Sequence, residues 1–280
     1  MQERLIGALR YIYKRGVIEK EQTVIIETLE GEVEVRKPFW SGLETIGLGM
    51  VVMVAFLSIQ IFTVVIFSAV VVSTNSTTNI AQIGKILFEM GGLMTAIATV
   101  LSAFVCTWLI LAFIKKREGA GIREYLSLTP ISRKTVLTVV AIATGFIVIS
   151  DSLTVIIGQP LVPEALANMY RTSVWPPLLL LALIVFAPAF EEVFFRGFLF
   201  QGLEQSKTGY IGAIAVTAIV WAFVHVQYDP YAQSMLLAYG VVLGFVRYKT
   251  GSIWSVLLMH GLHNLVASVE AIIYLNGHLI

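Results

Sequence analysis

Charged residues are scarce in this sequence, since Asp, Glu, Lys and Arg make up only 13% of its 280 residues. Hydrophobic residues make up 57% of the chain. Soluble globular domains carry about 25% charged and about 45–50% apolar residues. The composition therefore excludes an ordinary soluble domain and indicates a polytopic membrane protein.

An excess of basic charge and a pair of cysteines are also missing. The formal net charge is +1, so the chain lacks the basic character of a nucleic-acid-binding protein. Its one cysteine, Cys106, cannot form an internal disulfide or a cysteine-based metal site. We therefore expect no nucleic acid among the partners, and membrane lipid as the surroundings.

Long apolar runs fill most of the chain after residue 41. A bilayer core about 30 Å thick requires roughly 20 apolar residues per helix. Seven windows of this kind are present, and an eighth span could lie in 75–90 or 159–176. The seven are about 45–73, 91–114, 135–158, 178–199, 211–227, 234–250 and 252–275. We therefore expect an all-α polytopic membrane fold with about seven transmembrane helices.

The distribution of Lys and Arg predicts the orientation of these spans. With seven spans, all 19 of these residues except Lys85 and Arg171 lie on one side. The side rich in Lys and Arg is normally cytoplasmic. We expect a cytoplasmic N-terminus, an outward C-terminus and, for a prokaryotic protein, insertion in the cell membrane. Because Arg196 falls on the cytoplasmic side, we also expect the functional site to open to the cytoplasmic half of the bilayer.

The first 40 residues form a separate segment in this interpretation. They have no apolar h-region followed by a cleavage site, so a cleavable signal peptide is not expected. The pattern predicts a short helix at about 3–16 and a hairpin whose strands are 23–28 and 32–36. We therefore divide the chain into a cytoplasmic segment, 1–40, and a transmembrane domain, 41–280.

Three charges stand close together in the fourth span. A charge at the bilayer centre costs about 2.5–3.5 kcal/mol on insertion scales, so such groups are functional candidates. Glu192 and Arg196 are one helical turn apart and can form an ion pair. Glu191 points about 100° away and has no partner along the helix. An unpaired carboxylate in an apolar site accepts a proton more readily, as a general base near neutral pH requires.

Histidines and an asparagine occur in the later spans. His225, near the end of the fifth span, could simply be a packing residue when it is considered alone. His260 and Asn264 share one face of the seventh span, and His263 lies on a neighbouring face. His260 and Asn264 can both donate hydrogen bonds to a developing oxyanion. They could equally hydrogen-bond between helices for structural reasons.

The remaining intramembrane groups have other interpretations. Glu191, His225 and His260 could form a zinc site with an open position. However, the chain has no His-Glu-x-x-His sequence, so we expect no metal and no other cofactor. Asp151 and Glu270 lie towards the outer ends of their spans, where a polar head group can reach water, and we interpret them as structural.

The polar residues of the last four spans form three motifs in a fixed order. These are Glu191-Glu192-x-x-x-Arg196, an aromatic-x-x-x-His sequence that ends at His225, and His260-x-x-x-Asn264. In kind and order they resemble the motifs of the CAAX prenyl protease type II family, which includes the Ras-converting endopeptidase and bacterial relatives called CPBP or Abi proteins. The resemblance covers about 178–275. The aromatic residue is Trp221, where the family more often has Phe.

The resemblance implies a hydrolase, an intramembrane glutamate-type protease without a metal. In the family's pattern Glu191 activates water with assistance from His225, and His260 with Asn264 forms the oxyanion hole. The ion pair of the first motif braces the site. His263 is outside the pattern.

The resemblance leaves the substrate open. Eukaryotic members cut the last three residues from prenylated CAAX proteins, whereas many bacterial relatives act on other membrane-associated peptides or proteins. We expect an intramembrane endopeptidase, with the second class of substrate favoured for a prokaryotic relative. The alternatives are a proton-coupled transporter, which buried Glu and His side chains also suit, and a non-catalytic membrane scaffold. The transporter is disfavoured because the sequence has no internal repeat.

Overall fold

The computed structural model describes residues 17–20, 23–28, 31–36, 39–75, 79–117, 119 and 121–277. Side chains are described from Phe39 onward. The short helix expected at about 3–16 therefore lies outside the described residues.

A small sheet precedes the helices. Its strands β1 (Val17–Lys20), β2 (Thr23–Thr28) and β3 (Gly31–Arg36) are antiparallel neighbours in the order β1-β2-β3. In the β2–β3 pair, Thr23 lies opposite Arg36 and Thr28 opposite Gly31. The sequence analysis did not predict β1, because four residues are too few to show an alternating pattern.

From residue 42 the described chain is helical, in agreement with the expected helical membrane fold. The helices are α1 (Gly42–Asn75), α2 (Ile80–Glu89), α3 (Gly91–Lys116), α4 (Ile122–Tyr125), α5 (Arg133–Ile157), α6 (Glu164–Arg171), α7 (Pro176–Glu204), α8 (Gly209–Val224), α9 (Pro230–Thr250) and α10 (Ile253–Leu275).

Five of these helices are long and apolar enough to cross a membrane, namely α1, α3, α5, α7 and α10. The helix α8 is apolar but has only 16 residues, and α9 is not among the five. Each of the seven expected windows thus coincides with a helix, but length and composition do not confirm the expected count of seven or eight spans. The two stretches considered for an eighth span contain the short helices α2 and α6, of 10 and 8 residues.

Side-chain caps fix where the helices around the cavity begin. The Asp229 carboxylate accepts hydrogen bonds from the first backbone amides of α9, and Pro230 occupies its first position. Ser252 accepts from the amide of Trp254 at the start of α10. Between these helices Gly251 adopts φ +60°, which ends α9 and lets the chain reverse. Two caps and one glycine therefore set the register of α10 against its neighbours.

The helix α7 is not a regular α-helix. It contains two π-helical segments, Ala182–Phe186 and Glu192–Leu199, on either side of Pro188. Proline lacks the amide that would bond to the carbonyl four residues earlier, and its ring clashes with that carbonyl in an α-helix. A wider π turn relieves both problems and exposes carbonyls to other partners. The first motif lies where α7 passes into its second π segment.

The described loops gather at two opposite ends of the helical bundle. At the end where α1 begins, the Phe39 amide donates to Gln205 Oε1 at 3.2 Å, and the Ser252 hydroxyl donates to the Thr129 carbonyl at 2.5 Å. We call this the basic end. Its lysines and arginines are Lys115, Lys116, Arg117, Arg123, Arg133, Lys134, Lys207, Arg247 and Lys249.

The opposite end, which we call the far end, contains the connections α1–α3, α5–α7 and α8–α9. Here the Gly92 amide donates to Thr172 Oγ1 at 2.9 Å, and the hydroxyls of Thr154 and Tyr231 lie 2.8 Å apart. Lys85 and Arg171 are the cationic side chains at this end among residues 39–277 that the structure describes. The bundle is therefore strongly polarised in basic charge.

Candidate active site

The four residues expected to be catalytic line a single cavity of about 550 Å³. Glu191 comes from α7, His225 directly follows α8, and His260 and Asn264 come from α10. The fold thus brings together three motifs that lie far apart in the sequence. The ion pair of Glu192 and Arg196 lies behind the cavity wall, since neither side chain lines it.

Glu191 has a partner that the helix pattern could not reveal. Its side chain is 18% exposed, and its Oε2 atom accepts a hydrogen bond of 2.6 Å from the indole Nε1 of Trp221. His260 Nε2 lies 3.9 Å from the same oxygen, too far for a direct hydrogen bond. The expectation that Glu191 has no partner therefore holds only along its own helix. The partner is the aromatic residue of the second motif.

Glu192 is the centre of a buried charge network. Its side chain and that of Arg196 are both 0% exposed, and Arg196 Nη1 lies 2.9 Å from Glu192 Oε1. His260 Nδ1 lies 2.7 Å from the same oxygen. Arg196 also donates to the Gly240 carbonyl at 3.2 Å, and its guanidinium lies 4.9 Å from the centre of the Trp221 ring. The expected ion pair is thus present, and it also holds His260.

The contact with Glu192 fixes the chemistry of the His260 ring. An ionised carboxylate can only accept, so Nδ1 carries the hydrogen in that contact. Nε2 faces Glu191 Oε2, and it has a hydrogen to donate only when the ring is doubly protonated. His260 can therefore stabilise an oxyanion as an imidazolium between two carboxylates, and in its neutral form it can accept a proton through Nε2.

Asn264 is held by the first π segment of α7. Its Nδ2 atom donates to the carbonyl of Leu183 at 2.8 Å. An amide NH₂ group has two hydrogens, so one of them remains for a group in the cavity. The π turn thus supplies the carbonyl that orients this side chain.

His225 ends α8 and has a fixed ring orientation. Its Nδ1 atom lies 2.7 Å from the carbonyl of Trp221, which can only accept, so Nδ1 donates. In the neutral ring Nε2 is then free of hydrogen and can accept a proton. The backbone carbonyl of His225 accepts from Gln233 Nε2 at 3.1 Å. This geometry suits a base that works beside Glu191.

Three further polar residues of the cavity were missed as site residues. Tyr228 stacks on His225 with ring centres 6.1 Å apart, and burial, with a smaller effect from the Glu191 charge, raises the pKa of its phenol to about 12. Asp151 and Glu270 also line the cavity. Tyr228 lies in a loop where no pattern marks it. The acidic pair was noticed, but its position beside the site depends on how α5 packs against α10.

A metal centre was the alternative arrangement considered for Glu191, His225 and His260. Across the residues that the structure describes, no three or more His, Cys, Asp or Glu side chains are grouped as metal ligands. Those three residues therefore share a cavity without forming a ligand set.

Comparison with known proteins identifies a similar family. Residues 173–266 match a family described as type II CAAX prenyl endopeptidase Rce1-like. This segment contains all three motifs and confirms the resemblance drawn from them. No curated protein and no solved structure matches the chain significantly.

Proposed function

Because residues 173–266 match the type II CAAX prenyl endopeptidase Rce1-like family, a family of membrane proteases, we propose that this multi-pass membrane protein is a glutamate-type intramembrane endopeptidase. The observation that carries the proposal is the convergence of Glu191, His225, His260 and Asn264 on one cavity. Each of the four presents a group that can bind water, a proton or an oxyanion.

In the proposed reaction a water molecule lies between Glu191 and His225. As the water oxygen attacks the peptide carbonyl carbon, its proton passes to the Glu191 carboxylate, and His225 Nε2 orients or shares that proton. The carbonyl oxygen becomes an oxyanion. It accepts one hydrogen bond from His260 Nε2–H and another from the second N–H of Asn264 Nδ2. When the C–N bond breaks, the proton moves from Glu191 to the leaving amine. The enzyme is then restored.

The buried network behind the wall gives His260 its role. Glu192 holds the ring through Nδ1, and Arg196 pairs with the same carboxylate oxygen. Glu192 and Arg196 are therefore positioning residues. They act on the reaction only through His260.

The substrate in this proposal is a peptide bond of a membrane-associated peptide or protein. The cavity is large enough for a short segment of extended chain, because ligand pockets commonly range from about 300 to 1,000 Å³. A prenylated CAAX protein is one such substrate. For a prokaryotic relative, another membrane-associated polypeptide is the favoured class.

The test is peptide cleavage in liposomes with a mixed library of membrane peptides. The protein, its Glu191→Gln variant and the control Glu164→Gln are compared, since Glu164 is an exposed carboxylate on α6. The original chain and the control should cleave, while Glu191→Gln should lose about 10²–10⁴-fold in rate. Cleavage by Glu191→Gln at an unchanged rate would refute the proposal. If no protein cleaves but Glu191→Gln abolishes proton uptake into the liposomes, the chain is a proton-coupled transporter. A scaffold would show neither activity.

A further inference from the structure

The cavity is displaced along the bundle towards the far end. On α8 its lining residues include Trp221 and Val224, in the last turn of that helix. On α9 they begin with Tyr231, in the first turn. These two helix ends both face the far end. The cavity therefore starts near the middle of the bundle and extends away from the basic end.

Loops of the far end form the rim of the cavity. The lining includes Gln159 and Pro160 after α5, and Val226, Gln227 and Asp229 between α8 and α9. All five of these residues are exposed, and Val226 is 80% exposed. The catalytic cavity is therefore continuous with the surface at this end.

The route from Glu191 to the basic end is packed with side chains. Next to Glu191 lies the fully buried pair of Glu192 and Arg196. Beyond it Arg247, 3% exposed, donates through Nε to the carbonyl of Arg196 at 3.0 Å. A cluster of aromatic rings packs at the same end, with the centres of Trp40 and Tyr125 only 4.9 Å apart. Within the described part of the chain, the loops of the basic end contribute no lining residue.

The distribution of basic charge indicates which side of the membrane the opening faces. Lysines and arginines concentrate at the basic end, and such an end normally faces the cytoplasm. We propose that the cavity opens to the extracytoplasmic side of the membrane and takes its substrate from there. The sequence predicts the opposite direction when the site is located by Arg196, but Arg196 lies behind the cavity wall and not at its mouth.

This inference deepens the proposed function and names a substrate class. If the chain is a peptidase, its substrate is the extracytoplasmic segment of a membrane protein or a peptide at the outer surface. The charge of the cavity agrees with such a segment when it is neutral or basic, since Asp151, Glu191, Asp229 and Glu270 line the cavity. Among the described lining residues there is no Lys or Arg.

The test is labelling of engineered cysteines with a charged, membrane-impermeant thiol reagent, and it does not require peptidase activity. The variants are Gln227→Cys on the rim, Ser150→Cys on the cavity wall and Lys134→Cys at the basic end. Ser150 and Lys134 lie on the same helix, α5, so they form a matched pair. The unsubstituted chain is the negative control and should not be labelled, because Cys106 is 0% exposed. Each variant is examined in spheroplasts of a bacterial host and in inverted membrane vesicles.

We expect Gln227→Cys and Ser150→Cys to be labelled in spheroplasts and Lys134→Cys only in inverted vesicles. Labelling of Ser150→Cys only from the side that labels Lys134→Cys would overturn the inference. Labelling of Gln227→Cys from outside without any labelling of Ser150→Cys would also overturn it, because the cavity would then be closed. A peptidase test that fails while this labelling pattern is found would reject the proposed function and leave the direction of opening intact.

Discussion

Trp221 illustrates how one residue connects the two carboxylates of the first motif. Its indole donates to Glu191 Oε2, and its ring face lies under the Arg196 guanidinium that pairs with Glu192. The sequence marks this position only as an aromatic residue four before His225. The hydrogen bond could not be predicted, because it joins α7 to α8 and the sequence pattern of one helix does not show which residues of the other helix pack against it. The separation of Glu191 from the pair of Glu192 and Arg196 was predictable, because it follows from helix geometry alone.

The two neighbouring glutamates should respond differently to the same substitution. Glu192→Gln leaves the Arg196 charge buried with a neutral partner, and breaking a buried pair costs about 3–5 kcal/mol. Glu191→Gln alters a partly exposed side chain and should change the melting temperature little. Thermal unfolding in detergent measures both. The double variant Glu192→Gln with Arg196→Met removes both charges and should recover much of the loss, and equal stability of the two single variants would contradict this prediction.

Asn264 offers a test of oxyanion binding. Asn264→Ala should lower kcat by about 10²–10³-fold with little change in KM, because the lost donor acts on the transition state. Ser268→Ala is the matched control on α10, since Ser268 lines the same cavity and its hydroxyl donates to the Asn264 backbone carbonyl. Steady-state kinetics on a cleaved peptide distinguish the two. A similar kcat for both variants would argue against the role of Asn264.

Histidines one turn apart on α10 allow a second comparison. His260 contacts Glu192, whereas His263 stacks on Tyr239 with ring centres 4.4 Å apart. His260→Gln should abolish most cleavage, by about 10²-fold or more. His263→Gln should retain most of it. Peptide cleavage by both purified variants checks the assignment, which fails if His263→Gln is the more damaged.

At the scale of the element, the irregular course of α7 determines how the residues of the candidate site are placed. Leu183 in the first π segment accepts from Asn264, and Glu191 directly precedes the second π segment. Pro188 in the sequence predicts a disturbed helix, but it does not predict the two π turns. Nor does it predict which side chain donates to the Leu183 carbonyl. That partner depends on the packing of α10 against α7. The existence of helices was therefore predictable, while their exact register at the site was not.

Replacing Pro188 should regularise this helix. Pro188→Ala restores a backbone donor and removes the ring clash, so that an α-helical course is favoured. We expect unchanged or raised thermal stability together with at least a tenfold loss of cleavage, because Glu191 would rotate away from Trp221. Melting curves and cleavage rates on the same preparation test the prediction. Parallel losses of both quantities would indicate general damage instead.

At the scale of the whole molecule, the bundle combines a cavity towards the far end with a packed layer of side chains towards the basic end. The apolar runs predicted the helices and their number approximately, since α8 and α9 are shorter or less apolar than the other five. The cavity itself could not be predicted, because it arises from the packing of eight helices, α1, α3 and α5 to α10. The direction of its opening could not be predicted for the same reason, because the motifs alone do not show which helix ends line the cavity.

Chelation tests whether the proposed cleavage requires a metal. The proposed reaction uses only carboxylate, imidazole and amide groups, so cleavage should survive EDTA and 1,10-phenanthroline. Rates before and after chelation, with a zinc peptidase as the positive control, provide the measurement. Loss of activity that added zinc restores would contradict the proposed mechanism.

The buried network of Glu192, Arg196 and His260 has one more consequence, which concerns voltage. With the outward opening proposed above, water in the cavity would bring the potential of the outer solution close to Glu191, and the membrane potential would fall mainly across the packed layer behind it. Each elementary charge moved through that field changes in energy by about 2.3 kcal/mol per 100 mV. In that arrangement the packed layer that holds the network would separate the water of the cavity from the solution at the basic end.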